Sequence, residues 1–159
     1  MFVVTHVLMG GLIGENTPTP IVAGALGVAS HFILDLIPHG DSYLYYDYKE
    51  GKGVAKSLVY TIVDAVLAVV VLVYMLEIAP YASRGTMVCA IVGAIIPDAL
   101  VALAEIIPIR PLIWFANAHM RIHDSVSDRI GHIRPSYGMI IQTILFCFLF
   151  FLVTIKPLK

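Results

Sequence analysis

The sequence predicts an all-α integral membrane protein, and three observations carry that prediction. Hydrophobic residues make up 59% of the 159-residue chain and charged residues only 13%, against about 45–50% and about 25% in an average soluble domain. Mean hydropathy is +0.89. The apolar residues gather in runs close to the length, about 20 residues, that crosses a bilayer as a helix. The fold class expected is a polytopic integral membrane helical bundle, with about four to five membrane helices plus an interfacial helix, forming a single integral membrane domain over residues 1–159.

The elements follow in order. The first fourteen residues lack the basic segment of a secretory signal and contain His6, so they are read as part of the mature protein. Phe2 to Gly14 predicts a short helix of about 20 Å, ended by the Asn-Thr-Pro-Thr-Pro stretch at 16–20. Ile21 to Ile37 predicts the second helix, with Thr19 as cap, Pro20 at its start and Pro38 at its end. A polar loop, Pro38 to Gly53, carries Tyr43, Tyr45, Tyr46 and Tyr48, residues suited to a membrane-water interface. Ser57 to Leu76 is the third helix, interrupted in polarity only by Asp64. Met87 to Ile107 is the fourth and carries Pro97, Asp98 and Glu105. Pro108 to Ser127, with Arg110, Trp114, Phe115 and Arg121, reads as the interfacial helix. Tyr137 to Ile155 is an uncharged last span. A faint internal echo relates Gly24-Ala25 and Asp35-Leu36-Ile37-Pro38 to Gly93-Ala94 and Glu105-Ile106-Ile107-Pro108.

Charge placement narrows the function classes. The net charge is -1 and the basic residues form no tract able to follow a phosphate backbone, so no nucleic-acid partner is expected. Cys89 and Cys147 lie inside apolar runs and read as small hydrophobes without a disulfide. If the long helices and the first helix all cross, Lys49, Lys52, Lys56, Arg110, Arg121, Arg129 and Arg134 share one face, and Arg84, Lys156 and Lys159 the other. The excess of positive charge predicts that the first face is cytoplasmic.

All six histidines, His6, His31, His39, His119, His123 and His132, fall on that side or in the adjoining half of a helix. Each ionisable group placed in a bilayer costs roughly 2.5–3.5 kcal/mol, so such groups face a cavity, pair, or serve function. A divalent cation would satisfy several at once. His31 and Asp35, spaced i and i+4, project from one helix face in a chelating geometry; a histidine-carboxylate hydrogen bond would account for the same spacing. His119 and His123 repeat the spacing and are followed by Asp124, and two histidines one turn apart form a familiar metal half-site. Asp98, after Pro97, reads as a further ligand or as a neutral acid bonded to backbone. Glu105 lies two turns along, and Asp64 reads either as a partner orienting a ligating imidazole or as an acid bonded to Thr61 or Tyr60. The placement of His39 and Asp41 beyond Pro38 stays open. Arg121, Arg129 and Arg134 suit contact with phosphate, or mark the edge of the membrane.

The motifs Thr5-His6, Ser30-His31-Phe32-Ile33-Leu34-Asp35, Pro38-His39-Gly40-Asp41, Pro97-Asp98 and His119-Met120-Arg121-Ile122-His123 resemble those of the uncharacterised membrane-bound metal-dependent hydrolase family. The H-x-x-x-D helix is also similar to one in the zinc-dependent phospholipase C and nuclease fold. The resemblance implies that His6, His31, Asp35, Asp98, His119 and His123 are metal ligands. The likeness to the phospholipase C and nuclease fold implies a phosphoester substrate, and a phosphoester or ester of a lipid or amphiphile is the substrate expected.

The function expected is therefore membrane-embedded hydrolysis by a metal-activated water, with zinc favoured over manganese or iron and with Asp124 or Glu105 moving protons. The expected partners are the bilayer and a lipid-like or phosphoester substrate. No serine lies in a nucleophile elbow, and no glycine-rich phosphate loop is present. The rival is a transition-metal or proton transporter using the same His/Asp set. A transporter needs polar steps in both halves of the membrane, and the far half offers little beyond Glu15 and Glu77. A di-iron oxidase would need more closely packed histidine boxes.

Overall fold

The computed structural model describes residues 1–40, 42–77, 83–130 and 133–155, so Asp41, His132, Lys156 and Lys159 lie outside the described residues. Among the described residues every regular element is a helix: α1 (Val3–Glu15), α2 (Pro20–Asp35), α3 (Ser42–Lys49), α4 (Val54–Glu77), α5 (Arg84–Ile106), α6 (Arg110–Asp124), α7 (Ser127–Ile130) and α8 (Pro135–Thr154). The all-α expectation holds. Three helices, α4, α5 and α8, are long and apolar enough to cross a membrane. With 24, 23 and 20 residues, they extend about 30–36 Å at about 1.5 Å per residue. The chain is thus consistent with an integral membrane protein. α1 and α2 are apolar but shorter, 13 and 16 residues.

Local chemistry explains most boundaries. The Thr19 hydroxyl accepts a hydrogen bond from the Val22 N–H, and Pro20 occupies the first turn of α2. That helix ends at Asp35, two residues short of the expected Ile37, because Pro38 disfavours helical geometry in the residue before it. Ser83 caps α5 in the same way through Thr86, and α5 runs on through Pro97.

Two segments differ from expectation. The stretch read as a polar loop contains α3, and the interfacial segment, Pro108 to Ser127, contains α6, with the short α7 beginning at its last residue. An eight-residue helix does not nucleate alone in water. α3 is held by what it touches: Tyr45 and Lys49 reach Glu105 of α5, and Tyr46 reaches Asp124 of α6.

The short α1 sits innermost, packed against α2, α4, α5 and α8. Val4, Val7 and Leu8 form its core with Val71 and Met75 of α4, Met87 and Ile91 of α5, and Leu149 and Val153 of α8. α5 and α2 pass so closely that a Cβ on Gly27 or Gly93 would fall inside the contact radius of a facing backbone carbonyl, that of Ala90 or Gly24 respectively. Small residues allow this approach, the packing that operates where lipid removes the hydrophobic drive between helices. Gly24 and Gly93, matched in the sequence echo, thus face each other. Outward faces are greasy: Val59, Ile62, Val66 and Val70 on α4 and Ile140, Ile144 and Phe148 on α8 are exposed. Such contiguous apolar surface fits lipid contact.

Candidate metal centre

The end of α2, the start of α1, the middle of α5 and the last turns of α6 converge on one buried point. α2 contributes His31 and Asp35, one turn apart, with His31 Nε2 3.0 Å from Asp35 Oδ2. α5 brings Asp98, whose Oδ1 is 3.6 Å from His31 Nε2 and 3.5 Å from His119 Nε2. α6 brings His119, 3.7 Å from Asp35 Oδ2. α1 adds His6, whose ring stacks on His31 at 4.3 Å and whose Nε2 lies 3.3 Å from Asp35 Oδ1. One ligand atom from each of His31, Asp35, Asp98 and His119 lies within 4.8 Å of the others.

The hydrogen bonds around these groups turn their lone pairs inward. His31 Nδ1–H donates to the Ala94 carbonyl at 2.8 Å, which turns Nε2 toward the carboxylates. This is the arrangement by which a ligating histidine has its tautomer fixed. Buried polar atoms are almost always hydrogen-bonded. Here His31 Nε2, Asp35 Oδ2, His119 Nδ1 and both nitrogens of His6 are buried with no hydrogen-bond partner outside this cluster among the described residues. His31 Nε2 and Asp35 Oδ2 belong to the group whose ligand atoms converge, with Asp98 and His119 completing it, so the donor set fits a divalent cation. Burial also pushes the His119 imidazole down to about 4, despite the opposing pull of Asp98 and Asp35. The neutral ring, the form that binds metal, prevails near pH 7.

A second group adjoins the first. Asp35, His39 and His123 also bring ligand atoms within 4.8 Å of one another, and the Nε2 atoms of His39 and His123 are 3.0 Å apart. Asp124 supports this side. Its Oδ1 accepts from His123 Nδ1 at 2.9 Å, and its Oδ2 accepts from the Tyr46 hydroxyl at 2.5 Å. Burial and the Asp124 carboxylate raise the Tyr46 phenol above its usual value, so it remains a donor.

The structure brings His6, His31, Asp35, Asp98, His119 and His123 into one region. Glu105 lies elsewhere: it is ion-paired with Lys49 at 2.8 Å and accepts from Tyr45 at 3.3 Å. Asp64 meets neither Thr61 nor Tyr60 in a hydrogen bond. Its carboxylate accepts from the Val3 and Val4 N–H groups at 2.6 and 3.1 Å, closing the first turn of α1 from a different helix. Arg121, Arg129 and Arg134 are exposed.

Three residues escape the sequence reading. His39 is an unplaced candidate there, and its signal was the polar Pro-His-Gly-Asp stretch. Gln142, in an uncharged span, accepts from Phe2 N–H at 2.7 Å and donates to the His39 carbonyl at 3.0 Å; a lone amide in such a span was its signal. Tyr46 is indistinguishable by sequence from its neighbouring tyrosines.

A cavity of about 620 Å³ leads to the cluster. Its walls include Phe2, Leu44, Leu58, Ile95, Val101, Ala102 and Ile106, with Asp98, His119 and His123 on its lining and Glu105 among its border residues. A smaller one of about 230 Å³ borders His39, Lys56 and Gln142. Compared with known proteins, the chain matches no family model, no curated protein and no solved structure.

Proposed function

We propose that the chain is a membrane-embedded metal-dependent hydrolase acting on a phosphoester or ester of a lipid or amphiphile, as the resemblance implies. One observation supports this above the others: imidazole nitrogens and a carboxylate oxygen, buried without hydrogen-bond partners outside the cluster among the described residues, converge beside an apolar cavity. A bound divalent cation would supply Lewis acidity, polarising the scissile group and lowering the pKa of a water to near neutrality.

The chain's own residues do the rest. His31, Asp35, Asp98 and His119 hold the ion, with His6 flanking Asp35. Asp124 fixes the Nδ1 proton of His123 and so directs its Nε2 inward. The apolar walls admit a hydrocarbon chain and exclude water. Lys49 and Glu105 offer charge to a polar head group, a role that takes Glu105 away from proton transfer at the ion. In the membrane, α1 and α2 join α4, α5 and α8 in a bundle of about five crossings, with the cluster toward the cytoplasmic leaflet.

The test uses protein purified in mild detergent. It should cleave a phospholipid or a related ester, lose activity with EDTA and regain it with zinc. His123→Ala should abolish turnover without unfolding the protein. Vesicles reconstituted with the protein should carry no metal-dependent ion flux. Flux without cleavage of any phosphoester or ester in a broad panel would instead make the cluster part of a permeation path.

A further inference from the structure

His39 and His123 bring two imidazole nitrogens face to face beside the first cluster. The Nδ1 of His39 lies against the carbonyl of Ile37. A carbonyl can only accept, so that nitrogen carries a proton. The Nδ1 of His123 lies 2.9 Å from Asp124 Oδ1, and an ionised carboxylate likewise demands a proton there. In neutral imidazoles both Nε2 atoms then bear lone pairs, and these two atoms are 3.0 Å apart. Two lone pairs at that distance repel. A metal ion between them would meet both lone pairs at once.

We propose that His39, His123 and Asp35 hold a second divalent cation, and that Asp35 bridges it to the ion held by His31, Asp98 and His119, giving a carboxylate-bridged dinuclear centre. Three features carry this. Each of the three residues offers a ligand atom within 4.8 Å of the others, and all three are buried. Asp35 belongs to both groups, its Oδ2 facing His31 and His119 and its Oδ1 facing His6 and the Met1 nitrogen. The outer atoms of the pair are already anchored, His39 by Ile37 and His123 by Asp124, which in turn takes the Tyr46 hydroxyl. The spacing also speaks to the class of ion. Two nitrogens 3.0 Å apart, each at about 2.1 Å from a shared ion, meet it at close to a right angle, the cis angle of an octahedral ion such as Mn(II). Two imidazoles and one carboxylate leave the remaining positions open to water or a substrate oxygen. The cavities place those positions within reach, since the larger borders His123 and the smaller borders His39.

This inference rests on the metal-binding part of the proposed function through the shared Asp35, and it is independent of any hydrolytic activity. The experiment loads the full-length protein in detergent with Mn(II), counts bound metal and records its electron paramagnetic resonance. The wild type should hold two equivalents and give the signal of an exchange-coupled pair. His39→Gln should hold one equivalent and give the hyperfine pattern of an isolated ion. His39→Asn, with its thermal midpoint checked against the wild type, guards against misfolding as the cause. Retention of both equivalents in the two folded variants overturns the ligand assignment. A single uncoupled equivalent in the wild type overturns the proposal while the first site stands. No bound metal at all overturns the proposed function as well.

Discussion

Asp35 receives more of the site's demands than any neighbouring side chain: His6, His31 and the backbone nitrogen of Met1 all approach it within 3.3 Å. Its replacement should therefore be the most damaging single change. Asp35→Ala is expected to lose all tightly bound metal, and His31→Ala at least one equivalent, by elemental analysis of purified protein. Full metal content in both would overturn the assignment of these ligands. Asp124 acts at one remove. Asp124→Asn exchanges an acceptor for a group that presents either an oxygen or an amide to His123 Nδ1, and should weaken metal binding about 10–100-fold, by competition with a chromogenic chelator. His31 with Asp35, and His119 with His123, were legible in the sequence because helix geometry alone sets residues four apart on one face. His39 was not, since its position depends on Gln142 and Gly138, far along the chain. A Cβ at 138 would collide with the His39 carbonyl.

At the scale of elements, the long apolar runs announced α4, α5 and α8 directly. α3 was hidden because its four tyrosines form no apolar stripe, and its stability comes from Glu105 and Asp124 on other helices. The crossing of α2 and α5 gives a sharp test. Gly27→Ala or Gly93→Ala should lower the thermal midpoint in detergent, with overpacking costing about 1–3 kcal/mol. Gly24→Ala serves as the control, because the nearest atom to its Cβ would be 3.5 Å away, an ordinary contact. It should be neutral or gain up to about 1 kcal/mol from helix propensity. Equal destabilisation at all three positions would contradict the close crossing at Gly27 and Gly93. Asp64→Ala should also destabilise, by about 1–3 kcal/mol, because two amides at the start of α1 lose their acceptor.

For the molecule as a whole, length and composition pointed to a bilayer but left the number of crossings open, because 13 and 16 residues fall short of the span of the hydrocarbon core. α3, α6 and the end of α5 gather at one end of the structure through Tyr46–Asp124 and Lys49–Glu105, while Arg84 begins α5 at the other. With Cys89 and Cys147 replaced by serine, Lys49→Cys and Arg84→Cys should be labelled by an impermeant maleimide from opposite sides of a sealed vesicle. Labelling from the same side would break the topology. The capping of α1 also sets an order of events during synthesis. The amides of Phe2, Val3 and Val4 are satisfied by Gln142 and Asp64, which leave the ribosome long after α1 does. Until α8 is in place, α1 has an incomplete first turn and the His39 carbonyl lacks its Gln142 amide. If the cluster holds the proposed ion, nascent chains arrested before residue 142 should fail to retain it, and loading would be a late, post-translational checkpoint on the finished fold.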